Sequence, residues 1–317
     1  MVFLLAFQAQ AAGLDLDAAA KAAAGMPRLR SLLVSQRGNL ALERYFRGTR
    51  ATALANIKSA SKSVISALVG IAIERKLIAG VAAPIARYFP DQFGPDVDSS
   101  RRKITIEDLL TMRSGLESTS IHNYGAWVRS PNWVAYALRR PMASPPGRAM
   151  IYSTGNYHLL SAILTKASGK STWAFANEVL AKPLGFTLAR WPQDPQGIYF
   201  GGNDMLMTPR QMVAFGELYL NRGRAGGRQI VPEAWVDVSL VPRTSSNWSG
   251  QLYGYGWWVR ELAGRQAFYA WGYGGQFIFV IPDLDLVVVT TSIPTPGDER
   301  HSHTRAIYEM LVRLVGD

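Results

Sequence analysis

Asn56-Ile57-Lys58-Ser59-Ala60-Ser61-Lys62-Ser63-Val64-Ile65-Ser66-Ala67-Leu68-Val69-Gly70-Ile71-Ala72-Ile73-Glu74-Arg75 is the stretch around which the chain is organised. From Val64 to Ile73 it is apolar almost all round, the pattern of a helix buried in a sizeable core. Its first turn nevertheless carries Ser59, Ser61, Lys62 and Ser63. A hydroxyl at position i and an ammonium at i+3 share one helix face, one turn apart. Ser59 at the helix start also feels the positive end of the macrodipole, which favours a developing alkoxide. Lys62, one turn into a buried helix, is expected to lose solvent, and its pKa to fall toward the range where a neutral amine accepts a proton. A weak nucleophile beside a candidate base is what covalent catalysis needs. The bland alternative is a helix cap at Ser59 and a solvated Lys62, so the rest of the chain has to decide.

Composition narrows the field. The 317 residues suffice for a large core and for one or two domains. Hydrophobic content of 48% and charged content of 18% fit a globular protein rather than a disordered one. With no cysteine, thiol nucleophiles, disulfides and zinc–thiolate sites are excluded. The net charge of +11 comes from arginines scattered over many segments, with no basic stripe interleaved with aromatics. Nucleic acid is therefore not the expected partner. No run is long and apolar enough for a membrane span. Residues 1–11, Met1-Val2-Phe3-Leu4-Leu5-Ala6-Phe7 followed by Ala9-Gln10-Ala11, read as the end of a secretory signal, though the basic n-region is missing. That points to export, with a cytoplasmic location as the alternative.

Working outward, Leu14 to Ala24 reads as a helix stopped at Gly25-Met26-Pro27. Leu32 to Ser35 and Leu40 to Phe46 read as a β-hairpin. Helical signals dominate the middle. Thr105 and Asp108 have capping-box spacing, Ser130-Pro131 and Thr208-Pro209 each pair a cap with a first-turn proline, and Gly169, Pro183 and Gly223 are plausible stops. After about Asn247 the period changes to two. Leu252–Val259, Gln266–Trp271, Phe277–Ile281 and Leu286–Thr291 read as four strands, and Arg300 to Val315 as a closing helix. Strands at both ends with helices between them predict an α+β fold: an antiparallel sheet from residues 14–55 plus 245–317, a mainly helical domain of residues 56–244, and a site at their interface.

A Ser-Lys pair needs a third group to pass the proton to a leaving group. Tyr152, between the loop Pro145-Pro146-Gly147 and a helix, is a candidate, and a neighbouring ammonium is expected to depress its pKa. A backbone oxyanion donor is also needed. Trp271-Gly272-Tyr273-Gly274-Gly275-Gln276 ends a predicted strand, and its glycines permit close approach to the main chain.

In this order the elements resemble the class C β-lactamase-like family of serine hydrolases, which spans β-lactamases, DD-peptidases, esterases and nylon-oligomer hydrolases. The resemblance covers nearly the whole chain. It rests on Ser59-x-x-Lys62, Ile104 to Leu116, Tyr152-Ser153-Thr154, Met207 to Met212 and Gly275 to Asp283. A second match to the pattern, Ser100-Arg101-Arg102-Lys103, sits in a polar stretch read as a loop and is set aside as chance.

The resemblance implies a β-lactamase/transpeptidase-like fold, with Ser59 as the acylated nucleophile. Lys62 and Tyr152 would share general-base and general-acid roles, and the N–H groups of Ser59 and Tyr273 would form the oxyanion hole. Gly272, Trp271, Thr154 and Asn156 would line the substrate. Two departures bear on the substrate. Thr154 stands where the family often has asparagine, with Asn156 two residues on as a possible cap. Ala270-Trp271-Gly272 stands at the Lys-Thr-Gly or His-x-Gly triplet, so the cation that would face a β-lactam carboxylate is missing.

Other chemistries fit less well. There is no Gly-x-Ser-x-Gly elbow and no His-Glu-x-x-His among His122, His158, His301 and His303, and His301-Ser302-His303 reads as a solvated cap. No metal and no cofactor is expected. The resulting expectation is a serine hydrolase working through an acyl-enzyme, a carboxylesterase on small or medium acyl esters. The alternatives are a β-lactamase or linear-amide hydrolase, and a non-catalytic binding protein on the same fold.

Overall fold

The computed structural model describes residues 13–94 and 98–316. The signal-like residues 1–11 lie outside them. The chain begins with α1 (Leu16–Ala24), capped by the Asp15 side chain, and the hairpin β1 (Leu29–Gln36) and β2 (Asn39–Tyr45). A short β3 (Ala55–Asn56) leads through a 3₁₀ turn, Lys58–Ala60, into α2 (Ser61–Glu74). The middle holds α3 (Ser99–Arg102), α4 (Ile106–Leu110), α5 (Tyr124–Val128), α6 (Trp133–Leu138), α7 (Thr154–Ser168) and α8 (Thr172–Ala176), the last running into a π-turn, Asn177–Ala181. Next come β4 (Leu206–Met207), α9 (Pro209–Leu220), β5 (Arg224–Ala225), β6 (Arg228–Gln229) and α10 (Glu233–Leu240). The chain closes with β7 (Thr244–Ser245), β8 (Leu252–Tyr253), β9 (Trp258–Leu262), β10 (Arg265–Gly272), β11 (Gln276–Ile281), β12 (Leu286–Ser292) and α11 (Arg300–Val315).

Eight strands form one antiparallel sheet in the order β2-β1-β12-β11-β10-β9-β8-β7. All its strands come from the two ends of the chain. β11 and β12 are buried along their whole length, because helices cover both faces. On one face Tyr308 of α11 packs against Tyr269, Phe277 and Phe279. On the other, α9 comes so close that a Cβ on Gly216 would lie 2.5 Å from Val287 and 2.9 Å from Ile278. α2 runs through the interior with only its last turns reaching the surface, as its all-round apolar sequence requires.

Local corrections have simple causes. The expected strand Leu252–Val259 is broken, because Gly254 to Trp257 form a turn with Gly256 at φ +84°. β7 is an added edge strand. α6 is capped by Asn132, one residue beyond Ser130-Pro131, whose carboxamide accepts from Ala135 N–H. Thr105 closes the expected capping box with Asp108, and Thr208 is the expected cap of α9 and forms a capping box of its own with Gln211. Ser99–Arg102 is one helical turn capped by Asp98, not a loop, and none of its residues is buried. No helix among the described residues is long and apolar enough to cross a membrane.

Candidate active site

The segment before Ser59 is held by a second strand of chain. β3 pairs with β4, and Ile57 N–H donates to the Met205 carbonyl at 3.0 Å. Lys58 then adopts φ +50°, a left-handed conformation that a non-glycine side chain resists. Ser59 therefore lies in the 3₁₀ turn two residues ahead of α2, rather than on its first α-helical turn. The i, i+3 relationship survives. Lys62 Nζ lies 2.9 Å from Ser59 Oγ and also donates to the Gly202 carbonyl. Only 2% of Lys62 is exposed, and burial lowers its pKa to about 7, with Asp204 opposing the shift. Near neutral pH much of this amine is unprotonated. An amine in that state, at hydrogen-bond distance from a hydroxyl, can take its proton.

Tyr152 sits beside the pair. Lys62 Nζ is 5.1 Å from the centroid of its ring, and the ring stacks on Trp258 with centroids 6.2 Å apart. The expected depression of its pKa is overturned. Burial pushes the phenol up to about 12, and the Ser59 hydroxyl opposes the rise. The physical reason is that a half-neutral Lys62 offers little positive charge against a large desolvation cost. Tyr152 thus keeps its proton at neutral pH and can donate it. Behind it, Tyr157 donates to the Leu110 carbonyl at 2.8 Å and meets the Tyr253 hydroxyl at 3.5 Å.

The glycine-rich turn approaches from the sheet. A Cβ on Gly272 would lie 2.1 Å from the Ile57 carbonyl oxygen, so only glycine lets the end of β10 press against the chain just ahead of Ser59. Tyr273 follows, 37% exposed. The far side of the turn is tied down. The Gly275 carbonyl accepts from the Thr290 and Ser292 hydroxyls, and the Gln276 carboxamide pairs with both backbone groups of Ser292. His303 Nε2 lies 2.9 Å from Ser292 Oγ. His303 is therefore no solvated cap. It is buried, and burial lowers its pKa to about 4. His301 is exposed.

Thr154 and Asn156, expected to line the substrate, are both buried. The Thr154 hydroxyl is committed to Ser120 Oγ at 2.9 Å, and the Asn156 carbonyl accepts from Ser114 Oγ at 3.0 Å. Both lie inside α7, so Asn156 is not a cap. Their polar atoms brace the helix after Tyr152. Trp271 is half-buried and joins an aromatic shelf: Trp258 and Trp271 lie 5.9 Å apart, and Trp248 lies 6.1 and 6.2 Å from them. Trp248 is 62% exposed and Trp258 only 3%. Sequence reasoning missed Trp248, Trp258, Gly202 and Asp204. Gly201-Gly202-Asn203-Asp204, a glycine-rich polar run just before the capped α9, was the available signal for the last two. Among the described residues, no cluster of three or more His, Asp or Glu side chains could hold a metal.

A family model described as Beta-lactamase matches residues 17–310. The chain belongs to the β-lactamase family. Solved structures share this β-lactamase fold. A Bacillus anthracis protein assigned as a 6-aminohexanoate-dimer hydrolase is 23% identical, with a TM-score of 0.74 over 90% of this chain and 79% of that one. EstCE1, a hydrolase with promiscuous acyltransferase activity, is 18% identical, with a TM-score of 0.74 over 93% and 99%. A family VIII carboxylesterase is 17% identical, with a TM-score of 0.70 over 93% and 96%. Against this β-lactamase family background, Ala270 is fully buried and offers no cation, whereas Arg300 places its guanidinium 4.7 Å over the Tyr273 ring.

Proposed function

We propose that the protein is a carboxylesterase that forms an acyl-enzyme on Ser59. The observation that carries this reading is the buried Lys62 amine, with a pKa of about 7, 2.9 Å from Ser59 Oγ. Ser59 Oγ attacks the ester carbonyl carbon as its proton passes to Lys62. The tetrahedral oxyanion is held by the backbone N–H groups of Ser59 and Tyr273. The intermediate collapses, and the departing alkoxide takes a proton from Tyr152, which recovers one from Lys62. Water then attacks the acyl-enzyme by the same route in reverse, releasing the acid.

Two features favour neutral esters. The buried methyl of Ala270 cannot pair with a substrate carboxylate. A hydrogen bond to a charged group contributes about 1.5–3 kcal/mol net, so its absence costs roughly 10–100-fold in kcat/KM on carboxylate-bearing substrates. The shelf of Trp258, Trp271 and Trp248 beside Tyr152 suits a hydrophobic acyl or alcohol group.

The test compares kcat/KM for p-nitrophenyl butyrate, a chromogenic cephalosporin and a linear amide, with intact-mass mapping of a fluorophosphonate adduct. The ester should be preferred, and the adduct should map to Ser59. Ser59→Ala should lower kcat by on the order of 10⁴ while leaving the fold intact. A cephalosporin turned over more efficiently than every ester overturns the substrate assignment and makes Arg300 the candidate carboxylate partner. A linear amide preferred over both makes the enzyme an amidase. No adduct at all points to a binding protein.

A further inference from the structure

Asp204 Oδ1 accepts from Lys58 Nζ at 2.7 Å and from Asn56 Nδ2 at 2.8 Å. Asn56 Oδ1 in turn accepts from Lys58 N–H at 3.0 Å. Lys58 and Asp204 both hold left-handed backbone conformations, φ +50° and +60°, which only surrounding structure can maintain in residues with a Cβ. Each lies close in the chain to a group of the site: Lys58 immediately precedes Ser59, and Asp204 follows Gly202 by two residues. Met205 N–H donates to Ser61 Oγ at 3.2 Å, and the Gly202 carbonyl accepts from Lys62. Residues 202–207 thus grip residues 55–62 along their whole length, with one ion pair at the centre. The pair is partly open to solvent, with 22% of the Lys58 side chain and 19% of the Asp204 side chain exposed.

We propose that the Lys58–Asp204 ion pair is a positioning device for the Ser59–Lys62 couple, holding the turn that presents Ser59 and fixing the net charge that the Lys62 amine faces. This rests on Ser59 and Lys62 being nucleophile and base. The other titratable groups around the couple are phenols. Tyr152, Tyr157 and Tyr253 are all pushed up by burial, so they stay neutral, and so does Tyr124, which accepts from Asn203 Nδ2. Asp204 is the charge that bears on Lys62, where it opposes the loss of the proton, and Lys58 offsets that carboxylate through the ion pair. Removing either member has opposite electrostatic consequences. Asp204→Asn keeps a hydrogen-bonding side chain and leaves Lys58 uncompensated, so Lys62 loses its proton more readily. Lys58→Met leaves the carboxylate uncompensated, so Lys62 holds its proton longer.

The experiment measures two quantities in wild type, Asp204→Asn, Lys58→Met and the double variant. One is the pH dependence of kcat/KM for p-nitrophenyl butyrate. The other is the ¹³Cε shift of Lys62 in lysine-labelled protein, which reports its titration even in a protein that turns over no ester. The acid limb and the Lys62 titration should move down by about 0.5–1 pH unit in Asp204→Asn, up by a similar amount in Lys58→Met, and return near the wild-type value in the double variant. The plateau rate should fall roughly tenfold in each, because the turn loosens. Midpoints that stay put, or that move in the same direction in both single variants, overturn the proposal. Correct Lys62 shifts in a protein inert to all esters leave the electrostatic role standing and instead refute the esterase reading.

Discussion

Lys62 and Tyr152 lie against each other, Nζ 5.1 Å from the ring centroid, and the same burial drives their pKa values apart, to about 7 and about 12. Between those values the amine is mainly neutral and the phenol mainly protonated. Two groups with separated affinities divide the work, the lower one accepting a proton and the higher one donating it.

The rate should follow from this pair. Lys62 must be unprotonated to accept from Ser59, so kcat/KM for a neutral ester should rise with pH through a midpoint near 7. It should then stay level to at least pH 9.5, since Tyr152 loses its proton only near 12. A stopped-flow profile from pH 5 to 9.5 checks this. Activity that is flat from pH 5, or that falls across the neutral range, removes Lys62 as the base.

The same burial has a cost in stability. The folded-state pKa of Lys62 is depressed from 10.5 to about 7, so between those values the unfolded chain binds a proton that the folded chain does not. Stability therefore rises with pH across that window and is lost as pH falls toward 7. Lys62→Met replaces the amine with an apolar chain of similar length. It should abolish turnover and raise stability by about 1–3 kcal/mol at pH 7, despite the lost bond to Gly202. Thermal unfolding at pH 7 and pH 10 decides this: the gain over wild type should be larger at pH 7. A variant less stable than wild type at both values contradicts it.

Gly272 should tolerate no side chain. A Cβ there would lie 2.1 Å from the Ile57 carbonyl oxygen and 2.9 Å from the Gln276 Cβ, and the first of these is backbone. Gly272→Ala must push β10 away from the turn that carries Ser59, and with it Tyr273, whose N–H is the proposed oxyanion donor. The expected loss is about 10²–10³ in kcat, the scale of removing one oxyanion donor, with about 1–3 kcal/mol of stability. Gly94→Ala, in open space on the surface and free of a left-handed φ, is the control. Equal kcat in Gly272→Ala and wild type would show that this strand end does not serve the site.

What could be read from the sequence was set by locality. Ser59 and Lys62 are three residues apart, so helical geometry alone brings them together, and the short apolar runs Phe277–Ile281 and Leu286–Thr291, rich in β-branched and aromatic residues and joined by a Pro-Asp turn, marked the central strands. The partners that complete the site are remote. Gly202 reaches Lys62 across 140 residues and Asp204 reaches Lys58 across 146. No local pattern encodes such pairings. The bonds of Thr154 and Asn156 to Ser120 and Ser114 were equally hidden, because a polar residue beside a motif looks the same whether it faces the cleft or braces the core. Tyr152 does lie beside Lys62, yet the direction of its pKa shift depends on burial, which its loop context did not reveal.

The aromatic shelf offers a graded test of substrate size. Tyr152 stacks on Trp258, Trp258 meets Trp271 and Trp248, and exposure rises from 3% at Trp258 to 62% at Trp248. A two-carbon acyl group ends near Ser59 and has no reach toward Trp248. A longer or aromatic group laid along the shelf would cover the outer indole. Burying an aromatic contact of this kind contributes about 0.5–1.5 kcal/mol beyond area, on top of roughly 25 cal/mol per Å² of apolar surface covered. Trp248→Ala should therefore leave kcat/KM for p-nitrophenyl acetate unchanged and lower it roughly tenfold for the octanoate and the phenylacetate, mainly through KM. Trp248→Phe should restore most of that loss, because a ring remains against Trp258 and Trp271. Measuring the three esters in the three proteins separates this from a general disturbance of the β7–β8 turn, which would depress all esters alike. A uniform loss, or none for the long and aromatic esters, would remove Trp248 from the substrate path and confine the acyl site to Trp258 and Trp271.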